Sequence, residues 1–268
     1  MIQDSLTDPV TILLAYVLVL WYTALILWYI LLQKQRAGYK NGNKAQSTEN
    51  ESDLEPPALI VIAHPDDECM FFAPTIISLR KQGRPVHILC LSTGNYNGLG
   101  AIRSRELEAS CKILGVRQTD CEALDDKRFP DGPKKWNAQE VASVVAHYIK
   151  ENGIRIVITF DSGGVSEHPN HVSCYDGVRH LADTGKLDTN IKAYSLQSIS
   201  LWRKYSGCLD VIVSSTSGHS FLAVGSPSDV WTAQTAMNEH TSQLVWFRKL
   251  YIVFSRYMYF NTLDRINA

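Results

Sequence analysis

No Lys or Arg occurs before Lys34, no Cys-x-x-Cys pair occurs anywhere, and no Gly-rich dinucleotide fingerprint follows the first strand-like run. Each absence excludes something. Lacking a basic start and a small-residue cleavage site, the N-terminus does not read as a cleavable secretory signal. The six cysteines (Cys69, Cys90, Cys111, Cys121, Cys174, Cys208) are scattered and lie mostly in apolar runs. That suits reduced, buried thiols in a cytosolic setting better than a disulfide framework or a thiolate zinc site. With 26 basic against 27 acidic side chains there is no overall field to attract nucleic acid, and none is expected as a partner.

What is present begins with an uncharged apolar run, Val10 to Leu32. At 1.5 Å per residue, a helix of that length covers roughly 30 Å, the thickness of a hydrocarbon core. A single transmembrane anchor is therefore expected over residues 10–32. Asp4 and Asp8 precede it, whereas Lys34, Arg36, Lys40 and Lys44 follow it, so the positive-inside rule puts residues 1–9 in the lumen and everything after the span in the cytosol. Residues 33–57 are polar, without hydrophobic period, and end in Pro56-Pro57, which reads as a flexible linker.

From Ala58 the pattern changes. Ala58 to Ala63, Val86 to Ser92 and Ile154 to Phe160 are short, fully apolar runs of the kind that form buried parallel strands. Between and around them, Phe72 to Gln82, Arg103 to Leu114 and Val141 to Lys150 carry helical periodicity and close near Gly83, Gly115 and Gly153. Strand and helix alternate, which predicts an α/β, Rossmann-like, doubly wound and mostly parallel sheet over residues 58–243, with ligands bound beyond the carboxyl ends of its strands. The remainder, 244–268, mixes Trp246, Phe247, Leu250, Phe254 and Phe260 with Arg248, Lys249 and Arg256. It reads as an amphipathic segment that either lies in a membrane interface or packs as a terminal helix.

Two of the strand-like runs deliver dense polar clusters to that sheet edge. The first leads into His64-Pro65-Asp66-Asp67-Glu68, and the third leads through Asp161 to Gly164 into His168-Pro169-Asn170-His171. Three consecutive carboxylates raise one another's pKa unless a cation faces them. A bound metal removes that conflict: two histidines and one carboxylate with an open fourth position form a catalytic zinc set, and His64, Asp67 and His171 can supply it. Arg103, at the opening of a helix after the Thr93-Gly94-Asn95 loop, is the preferred substrate contact, with ordinary surface pairing to Glu106 or Glu108 as the alternative. Glu68 is expected to support His64 or His168.

Both clusters resemble those of the zinc-dependent de-N-acetylases related to N-acetylglucosaminyl-phosphatidylinositol deacetylase, with weaker agreement from about Pro57 to about Ser226. The resemblance implies that zinc, or another divalent metal, is held by His64, Asp67 and His171, that Asp66 is the general base, and that His168 polarises the substrate carbonyl or stabilises the oxyanion. It implies hydrolysis of the N-acetyl group of a lipid-linked amino sugar, N-acetylglucosaminyl-phosphatidylinositol, as an early step of glycosylphosphatidylinositol anchor biosynthesis at the endoplasmic reticulum membrane. Two alternatives are a de-N-acetylase of another N-acetylglucosamine conjugate and a non-catalytic membrane adaptor on the same fold. The intact Asp66 and the complete metal set speak against the adaptor.

Overall fold

The computed structural model describes residues 9–46 and 55–267. Residues 1–8 of the expected lumenal stretch and 47–54 of the expected linker lie outside them. The chain opens with one long helix, α1 (Pro9–Gln46, 38 residues). It runs well past the apolar segment into the region read as a linker. Thr23 Oγ1 donates back to the Val19 carbonyl at 2.8 Å, so its hydroxyl is satisfied within the helix.

Seven strands then form one mixed sheet: β1 (Ala58–Ile62), β2 (Val86–Cys90), β3 (Cys121–Ala123), β4 (Ile156–Phe160), β5 (Lys192–Leu196), β6 (Phe221–Val224) and β7 (Phe260–Ile266), in the order β3-β2-β1-β4-β5-β7-β6. The first five pair in parallel, while β7 runs antiparallel to both β5 and β6. Every residue of β1 and β2 is buried, because helices cover both faces of the sheet, and this is why those strands lack polar alternation. The covering helices are α2 (Asp67–Phe71), α3 (Ala73–Lys81), α4 (Gly100–Ile113), α5 (Ala138–Glu151), α6 (Gly164–Glu167), α7 (Pro169–Asp183), α8 (Leu201–Lys204), α9 (Val211–Ser214), α10 (Pro227–Glu239) and α11 (Trp246–Phe254).

The expected strands and helices are present with ends shifted by a few residues, and all six cysteines are free. The C-terminal segment divides: Trp246–Phe254 is a helix with a buried and an outward face and Arg256–Met258 a 3-10 turn, but Phe260–Ile266, which neither expectation included, is a strand buried between β5 and β6. Asn261 sits in that strand with no exposure. Its amide oxygen accepts from Thr75 N at 3.1 Å and Thr75 Oγ1 at 2.8 Å, and its amide nitrogen donates to Phe71 O at 2.8 Å. A polar residue thus replaces the apolar one a strand pattern leads one to expect, at no cost in unmade hydrogen bonds.

Chain direction places the site. In the order 3-2-1-4-5, successive connections leave β1 toward one side and β4 toward the other, so a crevice opens between their carboxyl ends.

Candidate metal and catalytic centre

The loop after β1 folds tightly because Asp67 caps it from within. Its Oδ2 accepts from the backbone N–H of Ala63 at 3.1 Å and of His64 at 2.9 Å. Asp66 is held at φ 117°, ψ −21°, a left-handed conformation that costs a non-glycine residue about 1–3 kcal/mol. The second cluster is strained as well, with Val165 at φ 63° and Glu167 at φ 58°. Asp66, Val165 and Glu167 are the non-glycine residues at positive φ among those described, and all three flank the same cavity.

That cavity, about 380 Å³, is lined by the five residues expected to hold the metal or act in catalysis, His64, Asp66, Asp67, His168 and His171, together with Arg103. Asp67 Oδ1 lies 3.2 Å from His171 Nε2, and Asp67 Oδ2 lies 3.8 Å from His64 Nδ1. His171 Nδ1 meets the Gly164 carbonyl at 3.0 Å, and His64 Nε2 meets Asn170 Oδ1 at 3.0 Å and Asp131 Oδ1 at 3.1 Å. Those outer acceptors orient the rings, so that each presents its other nitrogen toward Asp67, as metal-ligating histidines do. Phe160 stacks on His171 with centroids 4.1 Å apart and holds its plane. A Cβ on Gly164 (φ +53°) would fall 3.1 Å from the His171 Cβ, so only glycine brings that carbonyl under the ring.

His168 completes the group, its ligand nitrogen lying with those of His64 and His171 within 4.8 Å of one another. Its Nδ1 accepts the Asn170 N–H at 3.3 Å as the N-cap of α7, which leaves the proton of the neutral ring on Nε2. Burial, followed by the nearby His171 and His64, pushes its pKa down to about 4. Near neutral pH the ring is therefore a neutral donor. Asp67 is subject to burial, which raises a carboxyl pKa, yet the neighbouring His171 and His64 hold it well below the usual range.

The carboxylate of Asp66 stands apart from this set. Arg248 of α11 bonds its Oδ2 directly, and Arg103 Nη2 lies 3.5 Å from the same atom. Arg103 is buried, and donates through Nη2 to Pro65 O at 2.7 Å and through Nη1 to Gly94 O at 3.1 Å. It lines the cavity, but its hydrogen bonds hold the two loops that frame it. Gly94 (φ +67°) makes room for it, since a Cβ there would come within 2.5 Å of the guanidinium.

Glu68 does not reach His64 or His168. With no exposure, it binds His240 Nε2 at 2.7 Å and Ser110 Oγ at 2.5 Å through Oε1, and the Asp66 N–H at 3.0 Å through Oε2. Glu68, Cys69 and His240 cluster as a second metal-capable group. There, however, burial and the Glu68 charge push the Cys69 thiol pKa well up, and Glu68 is already engaged as an ion pair with His240. Sequence reasoning missed the parts played by Asp131, Arg248 and His240, and gave Asn170, inside the second cluster, no role. Asp131 lies in Pro130-Asp131-Gly132, which reads as an ordinary turn.

A profile of the GlcNAc-PI de-N-acetylase (PIG-L) family matches residues 59–182. The bovine N-acetylglucosaminyl-phosphatidylinositol de-N-acetylase is 44% identical over 207 residues, covering 77% of this chain and 82% of that protein. The chain belongs to the GlcNAc-PI de-N-acetylase family. A probable family enzyme of Schizosaccharomyces pombe is 35% identical over 246 residues and covers 89% of this chain and 98% of its own length, so similarity extends beyond the residues the profile matches. Among solved structures, N,N'-diacetylchitobiose deacetylase from Pyrococcus horikoshii superposes with a TM-score of 0.55 at 17% identity, over 80% of this chain and 87% of that one, a likeness of fold.

Proposed function

We propose that this family member hydrolyses the acetamide of N-acetylglucosaminyl-phosphatidylinositol to give glucosaminyl-phosphatidylinositol and acetate, using a divalent metal, zinc by its donor set. The observation that carries the reading is the division of labour between neighbours: Asp67 turns toward two imidazole nitrogens, while Asp66 turns away from them toward two guanidinium groups. His64, Asp67 and His171 would hold the ion. When bound, it lowers the pKa of water from about 15.7 to about 7 and polarises the amide carbonyl.

The remaining steps belong to this chain's own groups. Asp66, oriented by Arg248 and Arg103, accepts the proton of the attacking water. The neutral Nε2–H of His168 donates to the oxygen on which charge develops. As the C–N bond breaks, Asp66 returns its proton to the amine, which leaves neutral, and the acetic acid formed gives up its remaining proton to solvent as acetate. Lys204 lines the same cavity with no anionic partner among the described residues, its Nζ 5.8 Å above the Tyr251 ring. Burial pushes its pKa down, and a phosphate diester offers the counter-charge it lacks.

α1 anchors the enzyme in the endoplasmic reticulum membrane, with the domain on the cytosolic side. The span Ala15–Gln35 has a mean hydropathy of 2.1, and Lys34 and Arg36 follow it. The acceptor sequence at Asn50, which lies outside the described residues, should therefore stay unglycosylated. Purified full-length protein should release acetate from N-acetylglucosaminyl-phosphatidylinositol, lose that activity to a chelator and regain it with zinc. Turnover of soluble N-acetyl sugars with none of the lipid-linked substrate would assign the second reading, another N-acetylglucosamine conjugate.

A further inference from the structure

The N-terminal helix is not a free tether. Ala24, Leu27, Trp28, Leu31 and Leu32 pack with Val211 and Ile212 of α9 and with Leu222 and Val224 of β6. Trp28 Nε1 donates to Gly225 O at 2.9 Å, while Gln35 exchanges hydrogen bonds with Val224, donating to its carbonyl at 3.2 Å and accepting from its N–H at 2.8 Å. These contacts fix a depth. The uncharged run ends at Leu32, so elements touching Ala24 to Leu32 lie up to about 12 Å inside the membrane boundary, at 1.5 Å of helix per residue. A domain docked this way cannot float above the bilayer; part of it must be in it.

The surface beside the docked helix has the composition that depth requires. The turn Gly207–Asp210, which packs on α1, directly follows α8. A Cβ on Gly207 would stand 3.6 Å from the Phe254 carbonyl of α11, and Tyr205 meets Tyr251 across the two helices at 6.3 Å. On α11, Tyr251 and Ile252 face the core, whereas Trp246, Leu250, Val253 and Phe254 form an apolar stripe turned outward. On α8, Trp202 is 90% exposed. Neither helix has an acidic residue; of their cations, Arg203 pairs with Asp210, Arg248 bonds Asp66 and Lys204 lines the cavity, while Lys249 is exposed. An outward apolar stripe with an exposed cation and no acidic residue beside it matches a lipid surface.

We propose that α8 and α11 form a monotopic membrane-insertion surface, continuous with the α1 span, that seats the mouth of the cavity at the lipid headgroups. The same helices supply its wall through Lys204, Tyr205, Phe247, Arg248 and Tyr251. A lipid-linked substrate then enters from the plane of the membrane and need not leave it. The inference rests on the reading of α1 as a membrane span.

The test is site-directed spin labelling of the full-length protein in vesicles of phosphatidylcholine with phosphatidylinositol. Labels are placed singly by Trp202→Cys and Leu250→Cys, by Leu18→Cys as the reporter of the span, and by His147→Cys as an exposed aqueous control. Insertion of an interfacial helix by about 5–10 Å should raise the ratio of oxygen to nickel-chelate accessibility at positions 202 and 250 at least about fivefold over position 147. A membrane-like value at 18 with aqueous values at 202 and 250 overturns the proposal and leaves the anchor standing. Shielding of 202 and 250 from both reagents assigns the surface to a protein contact and also overturns it. An aqueous value at 18 removes the anchor and the proposal together.

Discussion

His240 lies far from the two sequence clusters, yet its removal should be among the most damaging single changes outside the metal set. In His240→Ala the Glu68 carboxylate, fully buried, loses the cation 2.7 Å away and keeps only Ser110 and the Asp66 N–H. Breaking a buried pair from one side costs about 3–5 kcal/mol. The lower end applies here, because His240 Nδ1 is itself buried without a partner and part of the pair's gain is already offset. At about 2–4 °C per kcal/mol for a domain of this size, the unfolding midpoint should fall by roughly 6–12 °C. Burial alone would lower the His240 pKa, but the Glu68 charge outweighs it and the net shift is upward. For a raised folded-state pKa the stabilisation is complete below the ordinary histidine value of 6.5 and fades as pH rises through the folded value. The deficit of His240→Ala should thus be largest near pH 6 and shrink in alkali. Thermal unfolding of wild type and variant in detergent, followed by intrinsic fluorescence at several pH values, reads both quantities. A midpoint shift under about 2 °C, or a deficit unchanged from acid to alkali, would refute the reasoning, since a broken buried pair is far costlier than that and must titrate.

Two further changes probe the cavity. Arg248→Met removes the guanidinium that bonds Asp66 and should lower kcat by about 100-fold with little change in metal content, the usual effect of misplacing a catalytic group; Arg248→Lys should recover only part, lacking the planar fork. Lys204→Met should raise KM for the phosphatidylinositol-linked substrate by about tenfold, the worth of one charge-assisted hydrogen bond, and leave kcat and the KM for a phosphate-free N-acetyl sugar unchanged. Equal losses on both substrates would assign Lys204 to folding.

The parallel half of the sheet was legible because burial on both faces leaves strands such as Ala58–Ile62 without polar alternation. For the same reason the sequence alone places the two clusters at the ends of β1 and β4 on one edge of the sheet. What was not legible depends on distant partners. Arg248 reaches Asp66 across 182 positions and His240 reaches Glu68 across 172, and neither spacing leaves a local signature. β7 escaped notice because Asn261 and Thr262 are buried yet satisfied by their neighbours, so its pattern is not that of an apolar strand. The polar stretch after Leu32 lacks hydrophobic period but is helical to Gln46, since helix continuation needs no apolar face once the preceding turns are formed.

The account stands most directly on the opposite duties given to Asp66 and Asp67. Metal content, substrate affinity and turnover of N-acetylglucosaminyl-phosphatidylinositol should be measured side by side for Asp66→Asn and Asp67→Asn. Asp66→Asn is expected to retain the metal and bind substrate while turning over about two to four orders of magnitude more slowly, because an amide cannot accept the proton of the attacking water; Asp67→Asn is expected to lose the metal. Loss of metal from Asp66→Asn with retention in Asp67→Asn would invert the two roles, and near-normal turnover by Asp66→Asn would contradict the mechanism itself.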